Sequence, residues 1–257
     1  MTEMRVAAQL YTVRDYTDTP EDIAETMKKV KNMGYNAVQV SGFGPIEPAE
    51  LKAIAEDLEL NICATHVSFE RMQNDLEGLI EEHKMWGCKY MGVGSMPGDY
   101  RAGAKGFKKF ARDASEVARE LQKNDLQFIY HNHNFEFVKY DGVTGLEILR
   151  RESDPEAFDF EIDTYWVQAG GGDPVQWIKK LDGRIKVIHF KDMVMDEDDG
   201  QIMAEIGEGN LNWPKIIKAC EDIGVEWCAV EQDVCQRNPF DSLEISLNNL
   251  KDMGVST

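Results

Sequence analysis

Short apolar runs recur along the chain, and each is followed by a segment whose apolar positions repeat at helical spacing. The runs at residues 5–10, 37–40, 61–65, 89–93, 126–131, 158–162, 185–189 and 226–231 read as buried strands, rich in Val, Ile and aromatic side chains. Between them the periodicity predicts helices over 20–33, 48–58, 74–86, 105–122, 145–151, 174–181, 214–223 and 239–253. The first helix carries its own punctuation: Thr19 as cap, Pro20 at the first helical position and Gly34 as stop. Eight strand–helix pairs, with no linker or shift of composition between them, predict a parallel sheet with helices outside it. In 257 residues that pattern predicts one (β/α)8 TIM barrel, an α/β fold forming a single domain over 1–257. An open doubly wound sheet would place a phosphate-binding glycine turn after its first strand. Gln9-Leu10-Tyr11-Thr12 stands there instead, and Gly92, Gly94, Gly98 and Gly170-Gly171-Gly172 read as loop glycines.

Lys and Arg number 28 against 47 acidic residues, a formal charge of -19. Such a field repels nucleic acid and anionic membranes, and no basic cluster offsets it. No apolar run approaches the roughly 20 residues of a membrane span, and the N-terminus lacks the blocks of a signal peptide. A cytoplasmic enzyme with neither nucleic-acid nor membrane partners is expected, and self-association into a homo-oligomer is compatible with the sequence. The five scattered cysteines lack a C-x-x-C pair, so reduced core thiols are expected.

The strand over 185–189 ends in His189-Phe190-Lys191-Asp192, and other strands end alike: His66, His131, Asp163 and Glu231 all fall at strand tips. The carboxyl ends of the strands form the catalytic face of a barrel. Carboxylates ending apolar strands are costly to bury unpaired, and a bound cation removes the cost. Two imidazoles with two carboxylates suit Mn²⁺, Co²⁺, Zn²⁺ or Fe²⁺ more than Mg²⁺. A mouth of mutually hydrogen-bonded polar groups without metal is the plainer alternative. The excursion between Lys191 and Trp213 reads as two short strands around a solvated turn, Asp196-Glu197-Asp198-Asp199-Gly200, whose spacing is not that of an EF-hand calcium loop.

At these residues the chain resembles the xylose-isomerase-like TIM barrels, which include sugar (phosphate) isomerases and epimerases, inosose dehydratase-like lyases and the endonuclease IV group. The resemblance is carried by Gln9-Leu10-Tyr11-Thr12-Val13-Arg14-Asp15, Tyr130-His131-Asn132-His133, Asp163-Thr164-Tyr165-Trp166, His189-Phe190-Lys191-Asp192, Gly207-Glu208-Gly209 with Trp213-Pro214, and Val230-Glu231-Gln232-Asp233. It implies one divalent metal held at the tips of strands five to eight, with Asp163, His189 and Glu231 matching the family directly. Strand five departs from the family, since His131 stands where a Glu is usual, and Glu136 lies too far along to replace it. Glu231 would then move protons with Lys191 or His133 as the second carrier, and a dication beside Lys191 would favour its neutral amine. For Lys191 the alternative is a salt bridge to Asp192, Glu208 or Asp233. The resemblance also implies substrate contacts from Gln9 and Tyr11, and from His66 unless it is a satisfied core histidine. Trp166 reads as an apolar wall against a sugar ring or as a core aromatic, and Glu208 as folding over the mouth to contact substrate or as a cap of the following helix. Members with extra metals or DNA substrates carry a His where Trp166 stands, and His83 falls on the face of an outer helix.

What the resemblance implies is a metal-dependent isomerase or epimerase acting on a small sugar or keto-sugar, by removal of a proton next to a carbonyl. A lyase acting by β-elimination on a keto-sugar or inosose is the second expectation, because Tyr-His-x-His resembles the dehydratase branch. A sugar-binding barrel without catalysis is the third. The strand ends show no Arg-rich phosphate clamp, which favours a non-phosphorylated substrate.

Overall fold

In the computed structural model, which describes residues 4–198 and 200–256, strand and helix alternate along the chain. Strand β1 (Arg5–Gln9) passes through a 3₁₀ turn (Leu10–Tyr16) into helix α1 (Pro20–Met33), and β2 (Ala37–Val40) and α2 (Pro48–Asp57) follow. Next come β3 (Asn61–His66), α3 (Phe69–Asn74), α4 (Leu76–Trp86), β4 (Tyr90–Val93) and the long α5 (Gly103–Gln122). β5 (Gln127–His131) leads through a small hairpin, β6 (Lys139–Tyr140) and β7 (Val143–Thr144), to α6 (Gly145–Glu152). β8 (Phe158–Glu161) precedes α7 (Thr164–Ala169) and α8 (Pro174–Lys180). β9 (Val187–Phe190) precedes a second hairpin, β10 (Asp192–Met195) with β11 (Gln201–Ala204), and then α9 (Trp213–Ile223). β12 (Trp227–Val230) and α10 (Pro239–Asp252) are the last elements.

The eight long strands pair in parallel in the order β8-β5-β4-β3-β2-β1-β12-β9. The two ends of that sheet meet: Asp163 bridges His189 in parallel, and the His189 amide donates to the Ile162 carbonyl at 2.8 Å. The fold is therefore a single-domain TIM barrel, as the strand–helix pattern predicts.

Alternation along each strand sorts side chains between two cores. Ala7, Ala37, Ala64, Ile129, Val187 and Ala229 point inward and fill the barrel. Val6, Val38, Phe128, Phe158 and Ile188 point outward and pack under the helices with Phe107 and Phe110 of α5. Each aromatic buried there contributes roughly 1.5–3 kcal/mol. Caps fix where helices begin and end. The Thr19 hydroxyl accepts the Asp22 amide at 3.2 Å, and Gly34 closes α1 at φ 107°, a conformation that favours glycine.

The helix expected over 74–86 is α4, and the short α3 precedes it unpredicted, the two separated where Asp75 leaves helical geometry at φ -143° and ψ 45°. Helix α7 and the 139–144 hairpin lie in segments to which the periodicity assigns no element. The excursion after β9 is two antiparallel strands, β10 and β11, as expected. The Asp196 carboxylate closes their turn by accepting the Asp198 and Gly200 amides, while Asp199 of the same run lies outside the described residues. Among the described residues no helix is long and apolar enough to cross a membrane.

Candidate metal centre and active site

Above the apolar filling, the inward positions turn polar at the carboxyl ends of the strands. Gln9, Gln39, His66, His131, Glu161, Asp163, His189, Lys191 and Glu231 form this layer, and apart from the half-buried His66 all are buried. A cavity of about 250 Å³ opens onto it, lined by Tyr11, Ser41, His66, Gly94, His131, His133, Glu231 and Asp233 among others.

One ligand atom each from His131, Asp163, His189 and Glu231 lies within 4.8 Å of the other three. His131 Nε2 is 3.3 Å from Asp163 Oδ2, and His189 Nδ1 is 3.0 Å from Glu231 Oε2 and 3.9 Å from Asp163 Oδ2. Bonds of roughly 2.0–2.2 Å to one ion put neighbouring donors about 3–3.5 Å apart, which these separations approach. The rings are turned for the task. His131 Nδ1–H donates to the Gly94 carbonyl at 2.9 Å, leaving the Nε2 lone pair towards Asp163. His189 Nε2–H donates to Gln39 Oε1 at 2.9 Å, leaving Nδ1 towards Glu231 and Asp163. Nitrogen lone pairs aimed at carboxylate oxygens require a proton or a cation between them, so the donor set fits a divalent ion.

Without one, protons and Lys191 hold the charge. Burial disfavours the His189 imidazolium, but Glu161 and Glu231 outweigh it and push the ring up to about 10. Lys191 is fully buried, with Nζ 2.6 Å from Glu231 Oε2, 2.7 Å from Asp233 Oδ2 and 3.0 Å from Asp163 Oδ2. Burial opposes its charge, and the three carboxylates outweigh burial and hold its pKa above the usual lysine value. In this cation-free arrangement Lys191 is therefore an ammonium, whereas the neutral amine is the expectation beside a bound dication. Burial pushes the Asp163 and Glu231 carboxyls up, yet Lys191 and the histidines hold both below the ordinary range.

His133 lines the cavity with Nδ1 unpartnered, between His131 and the Trp166 ring. Burial, then neighbouring His131, lowers it to about 3, so it is neutral at physiological pH. Trp166 is half-buried, and Lys191 Nζ stands 5.4 Å from its ring. Tyr11 lines the cavity, and Gln9 accepts the Tyr11 amide while its own Nε2 stays buried and unpartnered. Glu208 is elsewhere: it pairs with Arg237 and is not among the residues lining this cavity. Glu136 also faces away, accepting the Tyr130 hydroxyl at 2.6 Å and the His133 amide at 2.9 Å beneath the loop. Gly92 and Gly94 are more than loop glycines. Gly92 lies inside β4, and a Cβ on either would come within 2.8 Å of the His66 ring.

Two residues of the site escape the sequence reading: Glu161 is fully buried against His66 and His189, and Gln39 bridges Glu161 and His189. Asp233, of the same motif as Glu231, completes the carboxylate ring around Lys191. For Glu161 the signal was present. Phe158-Asp159-Phe160-Glu161-Ile162-Asp163 alternates without exception, so the side chain must share the barrel interior with Asp163.

Among curated proteins, inosose dehydratase of Lacticaseibacillus casei is 26% identical over 152 residues, covering 52% of this chain and 50% of that protein. The chain thus spans about half the length of the curated relatives it matches. Among solved structures, a sugar phosphate isomerase/epimerase from Parabacteroides distasonis superposes with TM-score 0.81 at 22% identity, covering 100% of this chain and 96% of that one. A second from the same organism gives TM-score 0.79 at 25% identity, covering 96% and 98%. L-ribulose 3-epimerase gives TM-score 0.71 at 13% identity, covering 98% and 94%. Residues 27–253, most of the barrel with its polar mouth, match one family throughout, and the chain belongs to the xylose isomerase-like TIM barrels.

Proposed function

We propose that this chain is a metal-dependent isomerase or epimerase that removes a proton next to the carbonyl of a small, neutral sugar or keto-sugar. One observation carries the reading: two imidazole nitrogens and two carboxylates converge at the floor of a cavity in the barrel mouth. A cation held by His131, Asp163, His189 and Glu231 would serve as a Lewis acid towards a substrate oxygen. The mixed nitrogen and oxygen donors favour Mn²⁺, Co²⁺ or Zn²⁺, with Mg²⁺ less suited.

The chain's own groups do the rest. Glu231 is the only strand-tip carboxylate of the donor set that lines the cavity, and it takes the proton from carbon. Lys191, 2.6 Å from Glu231 Oε2, offsets charge there and is positioned to return a proton. His133, neutral on the cavity wall, hydrogen-bonds a hydroxyl, and Tyr11 supplies a flat face for a sugar ring, while Trp166 packs against His133 and is not among the residues lining this cavity. The volume of about 250 Å³ lies below the roughly 300–1,000 Å³ of drug-sized pockets, which suits a monosaccharide. The arginines nearest the mouth are committed. Arg14 donates to the Tyr11 and Asp233 carbonyls and lies over Tyr11, and Arg101 donates to Met96 and Ser95 and lies over Phe135. With Glu231 and Asp233 facing the cavity, nothing in its lining favours a phosphate.

A second reading, β-elimination, is favoured by His131 at the strand-five position and by the similarity to inosose dehydratases. Both begin with the same proton removal, so products decide. Free ketoses, inososes and 3-keto-glucosides would be incubated with enzyme and Mn²⁺, and mass and ultraviolet absorbance followed. A reversible mixture of constant mass is expected. Loss of water or aglycone with enone absorbance would replace the isomerase by a lyase, and absence of any solvent deuterium incorporation would sink both.

A further inference from the structure

Below the four donor residues, the barrel interior holds a line of hydrogen bonds that the proposed chemistry leaves unused. Glu161, at the end of β8, is fully buried and points inward two residues before Asp163. Its Oε2 accepts His66 Nε2–H at 2.5 Å, and its Oε1 accepts Gln39 Nε2–H at 2.8 Å. Gln39 Oε1 lies 2.9 Å from His189 Nε2, which is also 3.3 Å from Glu161 Oε1.

A side-chain amide has one donating end and one accepting end. The NH₂ of Gln39 is spent on Glu161, so only its oxygen faces His189, and His189 Nε2 must carry a hydrogen. Glu161 imposes the same requirement directly on His66 Nε2. Both rings therefore turn Nδ1 towards the mouth: His189 towards Glu231 Oε2 at 3.0 Å, His66 towards Ser41 Oγ at 3.4 Å. Swapping either ring's tautomer would set hydrogen-lacking Nε2 against an acceptor, with no water-accessible path to relieve it around His189.

We infer that Glu161 is a positioning residue that sets the tautomer of His66 directly and fixes the hydrogen of His189 on Nε2 through Gln39, so that Nδ1 is the ring atom each turns to the mouth. What His189 Nδ1 then binds rests on the proposed cation-assisted chemistry, whereas the Nε2 hydrogens themselves do not. For His66 the acceptor faces the cavity, ready for a substrate hydroxyl.

The test uses metal-free full-length protein with ¹⁵N-labelled histidine, read by long-range ¹H–¹⁵N spectra, and Mn²⁺ titration of the same samples. Wild type should show hydrogen on Nε2 of both His66 and His189. In Glu161→Gln, whose amide can offer either end, the His66 pattern should change and Mn²⁺ affinity should fall about 10–100-fold, the usual effect of a residue that orients a ligand. Gln39→Leu should alter only the His189 arm, leaving the His66 pattern intact. The exchange Gln39→Glu with Glu161→Gln returns an acceptor to His189, so Mn²⁺ affinity should recover most of its loss relative to Glu161→Gln. A merely structural role predicts no such recovery. Bare Nε2 on either ring of wild type, wild-type spectra and affinity in Glu161→Gln, or two Mn²⁺ per chain with His66 and Glu161 as ligands would each overturn the inference. Wild type that binds no Mn²⁺ would remove the cation from the proposed function, and the tautomer spectra would still decide the role of Glu161.

Discussion

Asp163 and His189 are register partners across the seam that closes the barrel, their backbones bridged in parallel and His189 Nδ1 3.9 Å from Asp163 Oδ2. The pairing that completes the fold thus places two of the four donors, which ties ligand spacing to rigid backbone and not to a loop. Asp163 also divides its carboxylate: Oδ1 caps α7 by accepting the Trp166 amide at 2.8 Å, and Oδ2 faces the site.

That division makes Asp163→Asn informative, because asparagine caps a helix as well as aspartate does. The variant should keep its circular dichroism while Mn²⁺ affinity falls by more than about 100-fold, beyond the range for residues that only orient a ligand. Mn²⁺ at 100 times its Kd stabilises wild type by about 2.7 kcal/mol. Thermal melts with and without Mn²⁺ should show that gain in wild type and not in Asp163→Asn. Equal gains in both proteins would remove Asp163 from the cation site.

Lys191→Met separates charge balance from catalysis. Removing an ammonium from among Asp163, Glu231 and Asp233 leaves buried carboxylates unpaired, which typically costs about 3–5 kcal/mol. The metal-free variant should melt well below wild type, and Mn²⁺ should recover more stability in it than in wild type. Turnover with Mn²⁺ should drop by roughly 10²–10⁴, as for loss of an acid–base group. Unchanged kcat would leave Lys191 as a structural counter-charge alone.

His83 ties the helical shell to the site. From α4 it donates Nδ1–H to the Leu79 carbonyl at 2.7 Å and accepts the Thr65 hydroxyl on Nε2 at 2.7 Å, next to His66. Burial lowers it from 6.5 to about 4. Its folded pKa lies below its unfolded one, so the unfolded chain binds the extra proton and stability falls as pH drops from about 6.5 to about 4. Linkage puts the full loss at roughly 3 kcal/mol. Urea unfolding at pH 7.5 and pH 4.5 should show a smaller difference in His83→Asn than in wild type. A difference of the same size in both would assign the pH dependence to other groups.

The barrel was legible because each strand is a short apolar run ending in a polar tip, from Arg5 to Gln9 through to Trp227 to Val230. That His131, Asp163, His189 and Glu231 would gather at one face was legible for the same reason, since they sit where those runs stop. Lys191 was found by position, and Asp233 stood next to the Glu231 strand tip as a possible partner, but that Asp163 joins them around its ammonium emerges only through folding. Gln39 could not be read at all. Nothing in Ala-Val-Gln-Val reveals that an amide inside one strand will span Glu161 and His189, 122 and 150 residues away. Glu208 was drawn in by its Gly-Glu-Gly turn, but Asp192 accepts the Gly207 and Gly209 amides and fixes that turn against β10, leaving Glu208 to Arg237.

Gly94 leads to the sharpest structural prediction. Its carbonyl fixes His131, and the space beside its Cα is taken by His66, whose Nδ1 would lie 2.8 Å from an added Cβ. That approach is too close for a real contact, and His66 is held from its other side by Glu161, so the ring cannot simply withdraw. Gly94→Ala should therefore cost about 1–3 kcal/mol, the usual effect of overpacking. It should also lower kcat/KM by displacing His66 from the cavity wall. A double-mutant cycle isolates the cause: in a His66→Ala background the added methyl meets no ring, so Gly94→Ala should cost almost nothing further in stability or in kcat/KM. If the two losses add in full, the strain lies in the Gly94 backbone and its bond to His131, and His66 is not what the glycine makes room for.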